Sequence, residues 1–240
     1  MYMKFILSDI QAVVFLSAVD LSNKVGLANE FIEKSERFFD GEPVIFPLPP
    51  DAPVEIPRII LRNRSNTYSL NIGVNRFDFF YNAPRESDQL PAGEINDVKE
   101  GFLNNLRMIL VSIKDITAGK ITRVGHNMTL LHQTDGTALE LVREKYLKDG
   151  ALIQEASEIQ LSVLNKKSIS EGLQSNLWLR TNTFHKPESE LDNKLVVFKL
   201  DLNTVPEEPL NLSAEEAQKY FEDTFTYAQE NLDSLFMNEG

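Results

Sequence analysis

The spacing of hydrophobic residues predicts a strand, a helix and three further strands in the first part of the chain. Residues 4–18 contain the run "AVVFLSA", whose apolar and β-branched residues are typical of a largely buried strand. Apolar residues then recur every three or four positions over 23–39, which predicts an amphipathic helix with Ser22 as its N-cap. Three short runs follow: "RIILRN", "YSLNIGV" and "RFDFFYN". Alternation of apolar and polar residues in the second run indicates an antiparallel meander with one covered face.

A proline-rich segment separates the first helix from these strands. Residues 42–57, "EPVIFPLPPDAPVEIP", hold six of the eleven prolines. Because proline lacks the amide donor that a helix or a central strand needs, we predict an extended connector. A ligand for a PxxP-binding domain is the alternative interpretation. The Val, Ile and Phe residues of the segment are suited to packing and favour a rigid loop.

A long helix and a second, similar series of elements complete the chain. Apolar residues from Ile95 to Ile116 trace one stripe of a helix that ends at Gly119. From Lys120 the same order returns as a strand, a helix and three strands: "ITRVGHNMTLLHQ", "GTALELVREKYLKDG", "SEIQLSVLNKK", "SNLWLRTNTFH" and "KLVVFKLDLN". A closing helix follows, and Ser213 and Glu216 predict a capping box at its start.

The repeated order of elements predicts an α+β fold with an internal duplication. We expect a twisted, mostly antiparallel sheet built from two pseudo-repeated strand, helix, three strands, helix halves. These halves are residues 1–119 and 120–240, and they are expected to form one continuous structural unit. The apolar stripes of the two long helices must be covered by a sheet, so both helices are expected on one face. The opposite face is then left open.

Composition limits the class of protein. With 240 residues, of which 42% are hydrophobic and 25% charged, the chain can bury a substantial core. The first residues resemble a secretory signal, but Ser8, Asp9 and Gln11 interrupt the apolar region, which favours an uncleaved start. No apolar run approaches the roughly 20 residues that cross a bilayer, so no membrane span is expected. The absence of cysteine excludes disulfides and thiolate chemistry and suits the cytoplasm.

The net charge of −12 is concentrated at the end of the chain. Residues 201–240 contain ten Asp and Glu against the single Lys219, a net charge of −9. Because an acidic chain repels phosphate backbones, direct binding of nucleic acid is not expected. We interpret the acids of the closing helix as its solvated side, with a nucleic-acid mimic as the alternative.

Several segments carry a resemblance to a sporadically distributed family of prokaryotic proteins whose function is not established. They are, in order, "SDIQAVVFLSAVDLS", "YSLNIGVNRFDFFYN", "ITRVGHNMTLL", "LVVFKLDLN" and the final "LDSLF". Arg123, Gly125 and His126 match the family's Arg-Xaa-Gly strand. The resemblance implies no catalytic residues. More distantly, the order of elements is similar to that of the saddles of TATA-binding proteins and of helix-grip folds, which is an analogy of fold alone.

The titratable residues give no clear catalytic pattern. His126 and His132 share one strand face but are separated by six residues, or roughly 20 Å, which is too far for one metal ion. His126 lies among apolar residues and is expected to be packed. For the protein to be an enzyme, His132, Asp135 and His185 would have to come together in one polar site. Since glycine-rich phosphate loops and nucleophile motifs are absent, we predict no catalytic residue, no metal and no cofactor.

Arginines form the more informative candidate site. The set consists of Arg58, Arg62, Arg64, Arg76 and Arg180. Guanidinium groups gathered on the open face of the sheet would bind carboxylate or phosphate groups of a small anionic ligand or of a partner. The alternative is that they pair with Asp78, Glu158 or Asp201 in a ladder across the strands.

These observations favour a non-catalytic, protein-binding or regulatory protein of the prokaryotic cytoplasm. It would use the open sheet face or the acidic closing helix to contact a partner. A small-molecule or anion-binding protein, with a pocket between the sheet and the long helices, is one alternative, and an acidic nucleic-acid mimic or inhibitor is another. Trp178, Phe184 and Phe80 have the polar parity of their strands and predict a homodimer contact.

Overall fold

Nine strands form one sheet in the computed structural model of the chain. It describes residues 5–49, 51–84, 90, 93–117, 119–147, 154–183, 190–205 and 210–232. The strands of this described part are β1 Ile6–Leu16, β2 Val44–Ile45, β3 Ile59–Arg62, β4 Tyr68–Ile72, β5 Arg76–Asn82, β6 Ile121–Gln133, β7 Gln160–Ser170, β8 Leu173–Asn182 and β9 Leu195–Thr204. The helices that we describe are α1 Lys24–Lys34, α2 Ile95–Ile116, α3 Ala138–Tyr146, α4 Glu190–Asn193 and α5 Ala214–Leu232.

The order of the strands confirms the predicted α+β fold with two similar halves. Across the sheet it is β2-β3-β4-β5-β1-β6-β9-β8-β7, and every pair is antiparallel. The first strand of each half, β1 and β6, pair at the centre, with Ala12 opposite His126. The remaining strands of each half extend outward from this pair. The sheet is therefore continuous across the midpoint of the chain.

Both long helices pack on one face of the sheet, as their apolar stripes predict. Phe102 of α2 and Phe225 of α5 are fully buried, and their ring centroids lie 5.8 Å apart in an edge-to-face arrangement. Alternate residues of the central strands, such as Val14, Val124 and Phe198, are buried beneath them. Each fully buried side chain of this kind contributes about 1.5–3 kcal/mol to folding. We call this side of the sheet the helix face.

The first helix is shorter than its apolar periodicity predicts. Its N-cap is Asn23, whose side-chain oxygen accepts a hydrogen bond from the amide of Gly26 at 2.9 Å, and not Ser22. It ends at Lys34, and Glu36 and Arg37 then adopt φ angles of 49° and 61°. This left-handed turn stops the helix but still leads Phe39 into the core, where it is buried. The periodic pattern therefore continues beyond the helix itself.

The proline-rich segment is the predicted extended connector only in part. It contributes the edge strand β2, whereas the amides of Ala52 and Ile56 donate to the carbonyl oxygens of Pro49 and Pro53 in turns. Val44 and Ile45 pair with Ile60 and Ile59 of β3. The expected capping box of α5 is present, since Ser213 Oγ accepts from the amide of Glu216 at 3.1 Å and Glu216 Oε2 accepts from the amide of Ser213 at 2.7 Å. Among the described helices, none combines the length and the hydropathy that a membrane span requires.

Candidate binding face of the sheet

The side of the sheet opposite the helix face carries polar and aromatic side chains. Strand alternation places on this side the residues that lie between the buried ones. We define the open face by eleven of these residues from five neighbouring strands: Gln11, Phe15, Arg76, Asp78, Phe80, Arg123, Asn127, Trp178, Arg180, Asp201 and Asn203. All except Asp78 are partly exposed, so solvent or a ligand reaches this face.

Phe15 lies between two guanidinium groups at the centre of the open face. Its strand neighbours in register are Arg76 of β5 and Arg123 of β6. The Cζ atoms of these arginines lie 5.4 Å and 5.1 Å from the centroid of the Phe15 ring. Both distances are within the range of a cation–π interaction. The ring therefore holds two positive charges close to each other.

Asp78 holds the first of these arginines. It is buried, and its Oδ2 accepts a hydrogen bond from Nε of Arg76 at 2.8 Å, while its Oδ1 also contacts that guanidinium. Gln11 donates to Oδ1 of Asp78 at 2.9 Å, and Asn127 donates to Oε1 of Gln11 at 2.9 Å. The network thus crosses three strands and fixes the rotamer of Arg76.

The second arginine has a different environment. Arg123 donates to the carbonyl oxygen of Thr204 at 3.1 Å and to Oδ1 of Asn203 at 2.7 Å, so its acceptors among the described residues are uncharged. Asn203 in turn donates to Asp201 at 2.8 Å. Arg123 is therefore positioned without being neutralised by a direct carboxylate partner.

A third arginine completes the network at β8. Arg180 lies 3.5 Å from Oδ2 of Asp201, and its guanidinium lies 5.3 Å from the ring of Trp178. Three arginines and two aspartates thus give the open face a net charge of +1 on a chain of net charge −12. The face favours negatively charged groups, whereas the chain as a whole repels them.

The structure brings together only part of the predicted arginine set. Arg76 and Arg180 belong to the open face, and they pair with Asp78 and Asp201, two of the three carboxylates expected for a ladder. Arg64 lies at the other end of the sheet, where its exposed side chain is 3.4 Å from Asp40. Arg62 is exposed on β3, also outside the network.

Arg58 has a structural role. It is 3% exposed, and its guanidinium donates to the carbonyl oxygens of Ala52 at 2.9 Å, Pro53 at 3.3 Å and Ile56. The parity of β3 predicts an outward side chain, but the proline-rich loop folds over it. Arg58 therefore binds this loop and has no open guanidinium for an anion.

The predicted polar site around the histidines does not assemble in the described residues. His126 is fully buried among the rings of Phe102, Phe221 and Phe225, and this burial lowers its pKa to about 3. It is the packed histidine that its apolar neighbours predict. A neutral, enclosed imidazole of this kind has no access to a substrate.

The other members of that site lie elsewhere. His132 contacts the ring of Phe5 at 5.8 Å, near the end of β6. Asp135 is exposed in the turn before α3, whose N-cap is Thr137. His185 is outside the described residues, as is Phe184. Within the described ranges, no three His, Asp or Glu side chains form a cluster that could hold a metal ion.

The acids of α5 pair with cations of the helix layer. Glu215 lies 3.7 Å from Lys114, Glu222 lies 3.4 Å from Arg107, and Asp223 lies 3.0 Å from Lys219. The space between the sheet and the long helices is filled by packed aromatic side chains, including Phe102 and Phe225. The geometry therefore supports a nucleic-acid mimic and a ligand pocket beneath the long helices less well than it supports binding at the open face.

Sequence reasoning missed the centre of the open face. Phe15, Gln11, Asn127 and Arg123 were not in the predicted set. The signal was present in "SDIQAVVFLS", where Gln11 and Phe15 share one parity and the buried Ala12 and Val14 the other. The near-continuous apolar run favoured a strand buried on both sides and concealed this alternation.

Comparisons with known proteins name no family for the chain. No protein-family model matches it, and neither does any curated protein. The chain is similar to the structure of a rolling circle replication initiator protein from Geobacillus stearothermophilus, with 9% identity and a TM-score of 0.33 over 96% of this chain and 85% of that chain. A likeness at this level carries no argument about fold or function. The expected analogy to the saddles of TATA-binding proteins and helix-grip folds therefore stays a prediction.

Proposed function

We propose that this is a non-catalytic binding protein whose open face holds an acidic segment of a partner protein. The observation that supports the proposal is the Arg76, Phe15, Arg123 stack, in which two guanidinium groups share one ring and the acceptors of Arg123 within the described ranges are uncharged. The cysteine-free sequence and the resemblance to a prokaryotic family support a role in the cytoplasm of a prokaryotic cell.

The chemistry of the stack suits carboxylates. Nε and Nη2 of both arginines already donate within the face, so a carboxylate of Asp or Glu would bind through their remaining N–H groups. Hydrogen bonds to Asp78 and Asn203 already order the two arginines, so binding loses less side-chain entropy. Partly exposed Phe80 and Trp178 add apolar area on either side.

Two other anionic ligands, and the role of a nucleic-acid mimic, are less well supported. A nucleic acid would carry many phosphates toward a chain of net charge −12, which offers a face of only +1. A small anion would use the same arginines, and it is separated from a protein partner by the experiment below. The mimic is disfavoured because three acids of α5, Glu215, Glu222 and Asp223, already have cationic partners.

Affinity capture with matched baits tests the proposal. The full chain, Arg123→Gln and Arg62→Gln are used to capture proteins from the native lysate, and each captured partner is then purified and titrated by calorimetry at about 0.15 M salt. We expect Arg123→Gln to weaken binding at least about tenfold, which corresponds to about 1.4 kcal/mol. Arg62→Gln, an exposed arginine outside the network, should bind as the unchanged chain does.

Two results contradict this function. Equal affinity of the chain and of Arg123→Gln for a purified partner would show that the open face is not the contact. Stabilisation of the chain by citrate or inorganic phosphate, lost in Arg123→Gln, together with the absence of any captured partner, would identify a small-anion site instead.

A further inference from the structure

The two edges of the sheet are built differently. At one edge, β2 has only the two residues Val44–Ile45, and Pro43 and Pro47 flank it. At the other edge, β7 runs for 11 residues, Gln160–Ser170, without a proline. In the described part of the chain β7 pairs with β8 alone. Short strands and prolines prevent further strands from adding to an edge, so only the β2 edge has this protection.

The β7 edge also exposes apolar side chains. Residues 162–168 are all exposed, and Val163 and Leu164 are 59% and 44% exposed. Because neighbouring residues of a strand point to opposite faces, these two side chains extend the apolar surface on both sides of the sheet. Leu164 lies in register with Trp178 of β8, which is partly exposed on the open face.

We propose that β7 pairs antiparallel with β7 of a second copy of this chain, around a two-fold axis at Leu164. The two nine-stranded sheets then join into one, and Leu164 of each copy lies against the other, with a Trp178 on either side. This inference goes beyond the proposed function and does not depend on it, since it concerns the sheet edge and not the arginines.

Charge and apolar contact restrict the register of this pairing. A two-fold axis perpendicular to the sheet keeps the faces aligned, so residues of like parity oppose each other. With the axis at Leu164, Lys166 lies opposite Ser162 and Lys167 opposite Leu161. An axis at Lys166 or Lys167 would place two like charges directly opposite, which destabilises a strand pair. An axis at Asn165 would place Leu164 opposite Lys166 and lose the apolar contact.

The chemistry of the edge favours a second copy over a foreign segment. The strand is self-complementary, because its apolar centre meets itself while both lysines meet uncharged residues. In the joined sheet the two open faces are continuous. Of the aromatics expected at a dimer contact, Trp178 lies next to the proposed interface, whereas Phe80 is on β5, on the far side of the central β1 and β6 pair.

Light scattering on the full chain tests the association. At about 0.15 M salt and high protein concentration, we expect twice the chain mass of 27.3 kDa. Leu164→Asp places two carboxylates opposite each other at the axis and should give the mass of one chain. Val25→Asp is the matched control, because Val25 is also an exposed aliphatic residue, 59% exposed against 44% for Leu164, but lies on α1. Circular dichroism and melting verify that each variant is folded.

Disulfide formation tests the register. Since the chain contains no cysteine, a single introduced thiol is the only one present. Leu164→Cys brings two thiols together across the axis and should give a covalent dimer under mild oxidation. Gln160→Cys should not, because its counterpart lies opposite Ser168, eight residues or roughly 26 Å along the strand.

Three outcomes overturn the inference. In the first, the unchanged protein has the mass of a single chain at high concentration. This would mean that Lys166 and Lys167 protect the β7 edge or that another partner covers it. Another is a dimer that Leu164→Asp leaves intact. The third is covalent dimer in Gln160→Cys equal to that in Leu164→Cys. Should Leu164→Asp fail to fold, the wild-type mass and the two thiol variants decide the question.

Discussion

Nδ1 of His126 lies 2.7 Å from Oγ1 of Thr224, inside the hydrophobic core between the sheet and α5. The Thr224 hydroxyl donates to the carbonyl oxygen of Phe221 at 2.8 Å, so its oxygen accepts from the imidazole. This assigns the proton of the neutral ring to Nδ1. Nε2 is enclosed and has no hydrogen-bond partner among the described residues.

His126 should make the protein sensitive to acid. Burial lowers its pKa from 6.5 to about 3, so below about pH 6.5 the unfolded chain binds a proton that the folded chain does not. Stability therefore falls as pH drops through this window. At pH 4.5 the loss that His126 causes is about 2–3 kcal/mol.

The measurement is urea unfolding at pH 7.5 and pH 4.5 of the chain and of His126→Met. The carboxylates contribute equally to the stability of both proteins. The change with pH in the difference between their free energies of unfolding is therefore due to the imidazole. His132→Gln, which alters a partly exposed histidine, serves as the control. If the difference between the chain and His126→Met is the same at both pH values, the histidine is not the cause.

Arg58 should be essential to the stability of the sheet edge. Arg58→Met removes the donors of three buried hydrogen bonds to the proline-rich loop. We expect the free energy of unfolding to fall by about 2–4 kcal/mol. Arg62→Met, at the exposed end of β3, the strand that follows Arg58, should change it by less than about 0.5 kcal/mol. Urea unfolding checks both values, and an equal effect of the two substitutions would contradict the assigned role.

Two ion pairs of the first half, one buried and one exposed, should differ in strength. Asp78 is 7% exposed and contacts both Arg76 and Gln11, so Asp78→Ala leaves a guanidinium and an amide without their acceptor. We expect a loss of about 2–3 kcal/mol. Asp40→Ala breaks the exposed contact with Arg64 and should cost less than about 1 kcal/mol. Chemical denaturation of the two variants side by side measures this, and a loss for Asp40→Ala as large as that for Asp78→Ala would rule out the difference.

The stability of α1 should depend on Asn23 as its N-cap and not on the adjacent Ser22. Asn23→Ala removes the acceptor of the Gly26 amide and should lower the free energy of unfolding by about 1 kcal/mol. Ser22→Ala, which changes the N-cap predicted from the sequence, should have little effect on the free energy of unfolding. Thermal unfolding of both variants tests the assignment. A larger effect of Ser22→Ala would restore Ser22 as the cap.

The element boundaries could be predicted because they depend on local chemistry. The run from Ile121 to Gln133 is the observed β6, and Ser213 with Glu216 marks the start of α5 as a capping box must. These features arise from residues only a few positions apart. The left-handed turn at Glu36 and Arg37 was missed, because the apolar spacing continues through it to Phe39.

The candidate site required the tertiary structure. Arg76 and Arg123 meet the same ring only because β1 pairs with β5 on one side and with β6 on the other. Strand parity predicted that Arg58 points outward, and only the fold of the loop shows what it binds.

The sequence by itself thus determined most of the strands and helices, though not β2, as well as which side of each is apolar and that the chain repeats its order. Only the tertiary structure decided which strands are neighbours and which charges meet. The reason is physical: periodicity is set by backbone geometry within a few residues, whereas strand order is set by how all the apolar faces pack at once.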